Sequence, residues 1–550
     1  MLFKWQIPQY ALPKAMAQKN IRTSSSSSSA PNHFFSLQLV LITVLISSSI
    51  QSHAFQFIEA TVDDVQRALT CGHVSSTQLV HSYRDQIQRY NPALRGVTEL
   101  NPDAETQARR ADKDRLAGKR GTRLSGVPVL IKDNIATKDG MNTTAGSFAL
   151  VGSVVARDAF VVKKLREAGA IILGKASLKE WSGFRSSTMP GGWSARSGQA
   201  KNPYNLSKEV CGSSSGSAIS VAANFATVAI GTETDGSIIC PSSYNSVVGI
   251  KPTVNLTSRD GVVPISMRQD SVGPIARTVA DAVHVLDVIA GRDENDEGTI
   301  EASRHIPRGG YAQYLNPEGL SGKRLGILRF PNYFNFPDSS IQNATYQQVF
   351  QTLREKGATV VDDVVIEHND EIHENEMIAL LAEIKRDMNS YLSKLHFTPS
   401  KSMAELISFN THNRKLESIE EYPQDMFMMA NQTNGIDETV EEAIAKLESF
   451  CKKGFEKTME EKKLDALMYI GQKYVPFLGV GGYPSITVPV GYAHENMPLG
   501  IAFAGLKYSE PKLIQIAYAL ELTIHRRKPP PLDDFLSSSV HSDAHRVQAS

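Results

Sequence analysis

Short apolar runs bounded by turn residues recur along this chain, and segments of helical spacing lie between many of them. Gly126–Ile131 (GVPVLI), Ala170–Leu173, Val247–Ile250, Leu325–Leu328, Thr359–Val365, Ala466–Ile470, Ser485–Val490 and Gly500–Ala504 each have the length and side chains of a strand. Thr61–Tyr90 carries apolar residues at helical intervals and opens on Thr-Val-Asp-Asp, a capping signal. Asp158–Ala168, Ala218–Ala229, Thr278–Ala290, Ile341–Lys356 and Leu513–Ile524 also read as helices. Strands alternating with helices imply an α/β architecture. From Glu371 to about Lys462 the pattern is helical, charged and Met-rich without a strand, which fits an insertion covering the core.

The two ends read differently. Residues 1–58 contain no Asp or Glu, carry Lys4, Lys14, Lys19 and Arg22, and then a serine run, Ser24–Ser29. The apolar run Leu37–Ile46 and the small-residue site Ser52-His53-Ala54 follow, the order of a secretory signal peptide. The run is short for a membrane span, so an uncleaved signal anchor is the lesser reading and an organellar transit peptide the rival one. The expected organisation is a leader over 1–54, a folded domain over 55–535 with the helical insertion at about 371–462, and a polar tail over 536–550. Secretion, to the extracellular space or a vacuole, is the expected destination. Five N-x-[ST] triplets, at Asn142, Asn205, Asn255, Asn343 and Asn431, are weakly consistent with it.

Lys plus Arg equals Asp plus Glu, 58 each, so no global basic bias exists to hold a phosphate backbone, and nucleic acid is not an expected partner. Four cysteines (Cys71, Cys211, Cys240, Cys451) are too few for a disulfide scaffold and read as small buried residues, with a Cys211–Cys240 bridge left open. His368 and His373 share an acidic stretch whose spacing matches no zinc motif, so they read as a solvated helix face and no metal is expected.

The stretch Val210-Cys-Gly-Ser-Ser-Ser-Gly-Ser-Ala218 formally contains G-x-S-x-G, the nucleophile elbow of α/β-hydrolases. An elbow needs an apolar strand feeding into the serine. Here the feeding segment, Lys201–Val210, is polar and contains Pro203. A phosphate loop needs a closing Lys-Ser/Thr, and Ser217-Ala218 stands there instead. Both readings fail on context.

A wider window changes the picture. Gly126-Val-Pro-Val-Leu-Ile-Lys132-Asp-Asn134 lies upstream, and Gly231-Thr-Glu-Thr-Asp-Gly-Ser237-Ile-Ile-Cys-Pro241 downstream. Val248-Gly-Ile-Lys-Pro-Thr253, Asp270–Thr278, Tyr483–Val490 and Leu499-Gly-Ile follow in order. Together these segments resemble the amidase signature family of serine hydrolases over roughly residues 60 to 525. The resemblance implies one α/β/α domain with a mixed, mostly parallel twisted sheet, and a helical insertion that shapes the substrate mouth. It implies a Ser–Ser–Lys triad: Ser237 as nucleophile, Ser213 as relay serine preceded by a cis peptide bond, and Lys132 as base. Cys211 and Asp235 each stand where many relatives have Gly.

That chemistry is physically sensible. A serine hydroxyl is a weak nucleophile until a base takes its proton. Lysine serves as that base only when neutral, and burial at the end of an apolar strand favours the neutral amine. The turn Thr234-Asp235-Gly236-Ser237 offers successive N–H groups to a tetrahedral oxyanion. The bland readings are a Lys132 that snorkels to solvent and a Ser237 that caps a helix starting near Ile238. Ser214, Ser215 and Ser217 read as turn hydroxyls bonding local backbone, and Asp133 and Asp235 as loop-ordering groups. Met426, Met428 and Met429 line an apolar entrance or pack.

The expected activity is hydrolysis of a carboxamide through an acyl-serine intermediate, without a cofactor. The segment Ser258–Ser266 most resembles the peptide amidase branch, so C-terminal peptide amides or small acyl amides are the expected substrates. Rival readings are an acyltransferase or esterase using the same acyl-enzyme, the glutamine-hydrolysing component of a tRNA amidotransferase, and a non-catalytic binding protein on the same fold.

Overall fold

Strand β2 (Pro128–Lys132) forms because five consecutive buried positions, Pro-Val-Leu-Ile-Lys, pack on both faces at once. It is one of eleven strands in a single sheet. The others are β1 (Val97–Leu100), β3 (Ile171–Ala176), β4 (Val228–Glu233), β5 (Val248–Lys251), β6 (Ser271–Ala276), β7 (Arg324–Leu328), β8 (Thr359–Val364), β9 (Ala466–Ile470), β10 (Ser485–Tyr492) and β11 (Pro498–Ala504). Their order is β1-β3-β2-β4-β6-β5-β10-β11-β9-β7-β8. The sheet is mixed. The blocks β3-β2-β4 and β9-β7-β8 pair in parallel, and antiparallel neighbours join them. This computed structural model describes residues 55–329, 333–337 and 339–535. The expected leader and the polar tail lie outside the described residues.

Register decides which way the lysines point. Along β2 and β3 the pairing slips: Val129 faces Ile172, but Leu130 faces Gly174, leaving Leu173 as a bulge. Val129 and Ile131 join the core on one face of the sheet and Leu130 the core on the other. Lys132 therefore turns to the Leu130 side. Lys175, paired with Ile131, turns to the Val129 side.

Helices cover both faces. The expected helix over Thr61–Tyr90 is two, α1 (Val62–Thr70) and α2 (Ser76–Leu94), separated at Gly72, whose φ of 72° no ordinary helix residue adopts. The expected helix over Ala218–Ala229 is a correction of greater consequence. Helix α3 spans only Ser215–Ala222, and Asn224 at φ 58° turns the chain into β4. An unbroken apolar run has no period to separate helix from strand. Helix α4 (Ile239–Tyr244) follows the next turn, and α5 (Val279–Ile289) opens on Thr278, whose side chain accepts from Asp281 N–H.

Every residue of α3 is buried. A Cβ at Gly216 would stand 2.4 Å from both Gly96 O and Ser177 N, so any side chain there would drive α3 off the sheet. The insertion holds α6 (Asn369–Ser393), α7 (Met403–His412), α8 (Asp425–Gln432) and α9 (Glu438–Cys451). Leu380, Ile384 and Met388 of α6 and Phe427 of α8 pack on Ala149, Trp181, Val263 and Ile265, roofing the loops above the sheet. Met428 and Met429 are about half exposed, so they pack against no core. Two helices near the end of the chain, α10 (Pro476–Val480) and α11 (Glu510–Ile524), belong to the same frame.

Candidate active site

Lys132 ends β2 and is fully buried, so it does not snorkel. Its Nζ lies 2.7 Å from Ser213 Oγ, 2.7 Å from Thr232 Oγ1 and 3.1 Å from the Thr232 carbonyl. Among the described residues no carboxylate oxygen is hydrogen-bonded to it. Burial pulls its pKa down to about 7, and the more distant Asp270 and Glu233 oppose that only in part. Thr232 stands beside it because β4 pairs with β2, Ile131 against Ile230. Asn134 Nδ2 donates to the Thr232 hydroxyl at 3.0 Å and fixes its position.

Ser213 precedes α3 and follows a cis peptide bond from Gly212. Its serine neighbours have other work. Ser214 Oγ donates to the Thr232 carbonyl at 2.9 Å and accepts from Thr232 N–H, and Ser217 Oγ donates to Ile230 O at 3.0 Å. Both pin α3 to β4 rather than bonding local backbone as expected. Ser215 Oγ does bond locally, to Cys211 O at 2.6 Å. So the serine-rich stretch is one contact with Lys132 and a set of pegs, and the polar feeding segment carries no strand.

Strand β4 feeds the turn Thr234–Ser237 instead. Thr234 Oγ1 donates to Asp270 Oδ1 at 2.5 Å. Asp270 Oδ2 accepts from Ile265 and Ser266 N–H, which ties the turn to the loop beneath α6. Gly236 has φ 71°, and a Cβ there would meet nothing within 4 Å, so open space lies over the turn. Among the described residues, the N–H groups of Asp235, Gly236 and Ser237 donate to no acceptor. Ser237 is 9 % exposed at this opening. It does not cap α4: Glu233 Oε2 accepts from Ile238 N–H at 2.6 Å and Ile239 N–H at 3.0 Å and takes that role. The Ser237 carbonyl accepts from Ser214 N–H at 3.1 Å, joining the two turns, and no hydrogen bond joins the hydroxyls of Ser213 and Ser237.

A covalent bond joins the turns as well. Cys211 and Cys240 form a disulfide with a Cα–Cα distance of 6.0 Å. Of the other two cysteines, Cys451 is buried as expected, and Cys71 is exposed rather than buried. Asp133 orders a loop as expected: its carboxylate accepts from Thr144 and Gly146 N–H. Asp235 does not, since its Oδ2 is buried without a partner. Glu233 and Asp270 escaped sequence reasoning as site residues; Glu233 lies inside the T-x-T-x-G-S signature, but only the register of β4 shows where it points. Among the described residues no His/Cys/Asp/Glu group has the arrangement of a metal site.

The amidase family model matches residues 78–514. A protein of Arabidopsis thaliana named as a probable amidase is 50% identical over 501 residues, covering 90% of this chain and 96% of that one. The peptide amidase from Stenotrophomonas maltophilia, a solved structure, is 41% identical with a TM-score of 0.82, covering 87% of this chain and 100% of that one. The solved structure of an amidase family protein from Bacillus anthracis is 35% identical with a TM-score of 0.80, covering 86% of this chain and 92% of that one.

Proposed function

The chain belongs to the amidase family of amide-hydrolysing enzymes, and on that premise we propose that it cleaves C-terminal peptide amides or small acyl amides with Ser237 as nucleophile, Ser213 as relay and Lys132 as base. The reading rests on one observation above others. A fully buried lysine with a pKa of about 7 meets a serine hydroxyl at 2.7 Å and, among the described residues, no carboxylate. A neutral amine in that position donates to the two Thr232 oxygens and keeps its lone pair for the Ser213 proton.

Lys132 takes the Ser213 proton while Ser213 takes that of Ser237, and Ser237 Oγ bonds the carbonyl carbon. The carbonyl oxygen becomes the oxyanion, received by the unoccupied N–H groups of Asp235, Gly236 and Ser237, each worth about 3–4 kcal/mol of barrier in comparable sites. The proton returns from Lys132 through Ser213 to the nitrogen, the C–N bond breaks, and ammonia or an amine leaves. Water then repeats the sequence on the acyl-serine and frees the acid. The gap between the serine hydroxyls closes when substrate fills the site, since catalytic hydrogen bonds often tighten only in the complex.

Passage through the secretory pathway is the destination we propose. The Cys211–Cys240 bridge supports it, because disulfides persist in oxidising compartments. Fluorophosphonate labelling followed by peptide mass spectrometry tests the mechanism. The expected adduct sits on Ser237 and is lost in Lys132→Ala; an adduct on Ser214 would overturn the assignment.

A further inference from the structure

We propose that Cys211 and Cys240 are positioning residues for the reaction: their bond holds the backbone before Ser213 in the one conformation that aims its hydroxyl between Lys132 and Ser237. The inference rests on the serine mechanism above and extends it to two residues that mechanism does not use.

Cys211 stands two residues before Ser213, and Cys240, in the first turn of α4, three residues after Ser237. Both are partly exposed, so a small thiol can reach the bond. Among the described residues three bonds tie the segment 210–215 to the segment 234–245. Asn245 Nδ2 donates to the Val210 carbonyl at 3.1 Å, Ser214 N–H donates to the Ser237 carbonyl at 3.1 Å, and the disulfide is the third. The two hydrogen bonds fix the ends of a short span. Of the three, the disulfide alone acts inside that span.

It acts on a residue that needs holding. Cys211 has φ 56°, a left-handed conformation that a residue with a Cβ adopts at a cost. Its other bonds are local: its N–H donates to Glu209 Oε1 at 2.7 Å, and its carbonyl accepts from Ser215 Oγ at 2.6 Å. Neither partner belongs to the Ser237 turn. Once the bond is open, Cys211 is free to leave the left-handed region while both ends of the span stay fixed. Lys179 N–H holds the Ser213 carbonyl at 3.0 Å. The rotation therefore falls on Gly212, which has no Cβ to resist it, and on the Cα of Ser213, which carries the hydroxyl. A glycine at 211 keeps the left-handed conformation without any bridge.

The test uses the whole enzyme with the C-terminal amide of an N-acetylated dipeptide as substrate. Cys211→Ala combined with Cys240→Ala lowers kcat by about tenfold, the penalty of one unsupported left-handed residue, and leaves KM within about twofold. Cys211→Gly combined with Cys240→Ala restores most of the rate. In the unaltered enzyme a dithiol opens the bond by exchange: Cys211 and Cys240 each end as a thiol, and the reagent closes into a cyclic disulfide. Its kcat then falls as in the alanine pair, with the far-ultraviolet circular dichroism unchanged, while the glycine variant does not respond. An alanine pair within about twofold of the unaltered kcat overturns the proposal. So does a glycine variant no faster than the alanine pair, or a reduced enzyme that loses its circular dichroism along with its rate, since the bond would then serve only the fold. An unaltered, oxidised enzyme that neither takes a fluorophosphonate on Ser237 nor hydrolyses the amide overturns the serine mechanism and this inference with it.

Discussion

Lys132 ends β2, and Lys175 stands one residue before the end of the adjacent parallel strand β3; both are fully buried, and they face opposite sides of the sheet. Burial lowers both, Lys132 to about 7 and Lys175 to about 8. Their partners differ. Lys175 Nζ donates to the Ile135 carbonyl at 2.6 Å and Thr143 Oγ1 at 2.9 Å, and the charges of Asp133, Asp139, Glu99 and Asp158 favour its ammonium. Lys132 instead touches the hydroxyl of Ser213, whose turn is joined to that of Ser237. Burial alone only makes a lysine easier to deprotonate; a partner that can pass a proton onward makes it a base. Lys175 is the cation that holds the loop from Asp133 to Gly146, and Lys132 is the one we propose as the base.

The comparison breaks most sharply at Lys132. Lys132→Met lowers kcat for an amide by about 10⁴-fold or more, read by steady-state kinetics. The same change raises stability. The native state holds Lys132 at about 7 against 10.5 in the unfolded chain, so it binds fewer protons than the unfolded state between those values. The cost, about 5 kcal/mol, is complete below pH 7 and fades as pH rises toward 10.5. Denaturant midpoints of the Met variant therefore exceed those of the parent at pH 6 and converge with them near pH 10.

Next in size is the pH profile. With Lys132 as the proposed base, catalysis needs the neutral amine, so kcat/KM rises about tenfold per unit below about pH 7 and levels off above it. A profile that falls through pH 7 would remove Lys132 from the role. The smallest change in rate comes from Lys175→Met. It strips a donor from the Ile135 carbonyl and leaves Asp133 with less compensating charge but touches neither serine hydroxyl, so kcat of the folded enzyme moves by less than about fivefold, read by steady-state kinetics.

Much of this site was legible beforehand. An apolar strand ending in lysine and two glycine–serine turns at fixed order carry Lys132, Ser213 and Ser237. The α/β alternation came from runs such as GVPVLI. What stayed hidden needed neighbours. Lys175 looks like any lysine near a strand end until the bulge at Leu173 sets which of the two buried faces it takes. Strand β4 stays hidden because Val228 and Ala229 read as the end of the helix over Ala218–Ala229 and Thr232 as part of a turn, and with the strand goes the reason Thr232 meets Lys132. β6 escaped because Gly273 and Pro274 sit inside it, both poor strand signals. The unpartnered oxygen of Asp235 is a property of its surroundings, invisible in Thr-Asp-Gly-Ser.

The Cys211–Cys240 bond spans a separation of 29 residues, and Ser213, α3, β4 and Ser237 all lie inside it. Ser213 and Ser237 thus belong to one closed ring of chain. A protease that nicks a loop within this ring cannot part them. The cut protein keeps its full length on a denaturing gel, gains only the mass of one water, and separates into two pieces only after a thiol opens the ring.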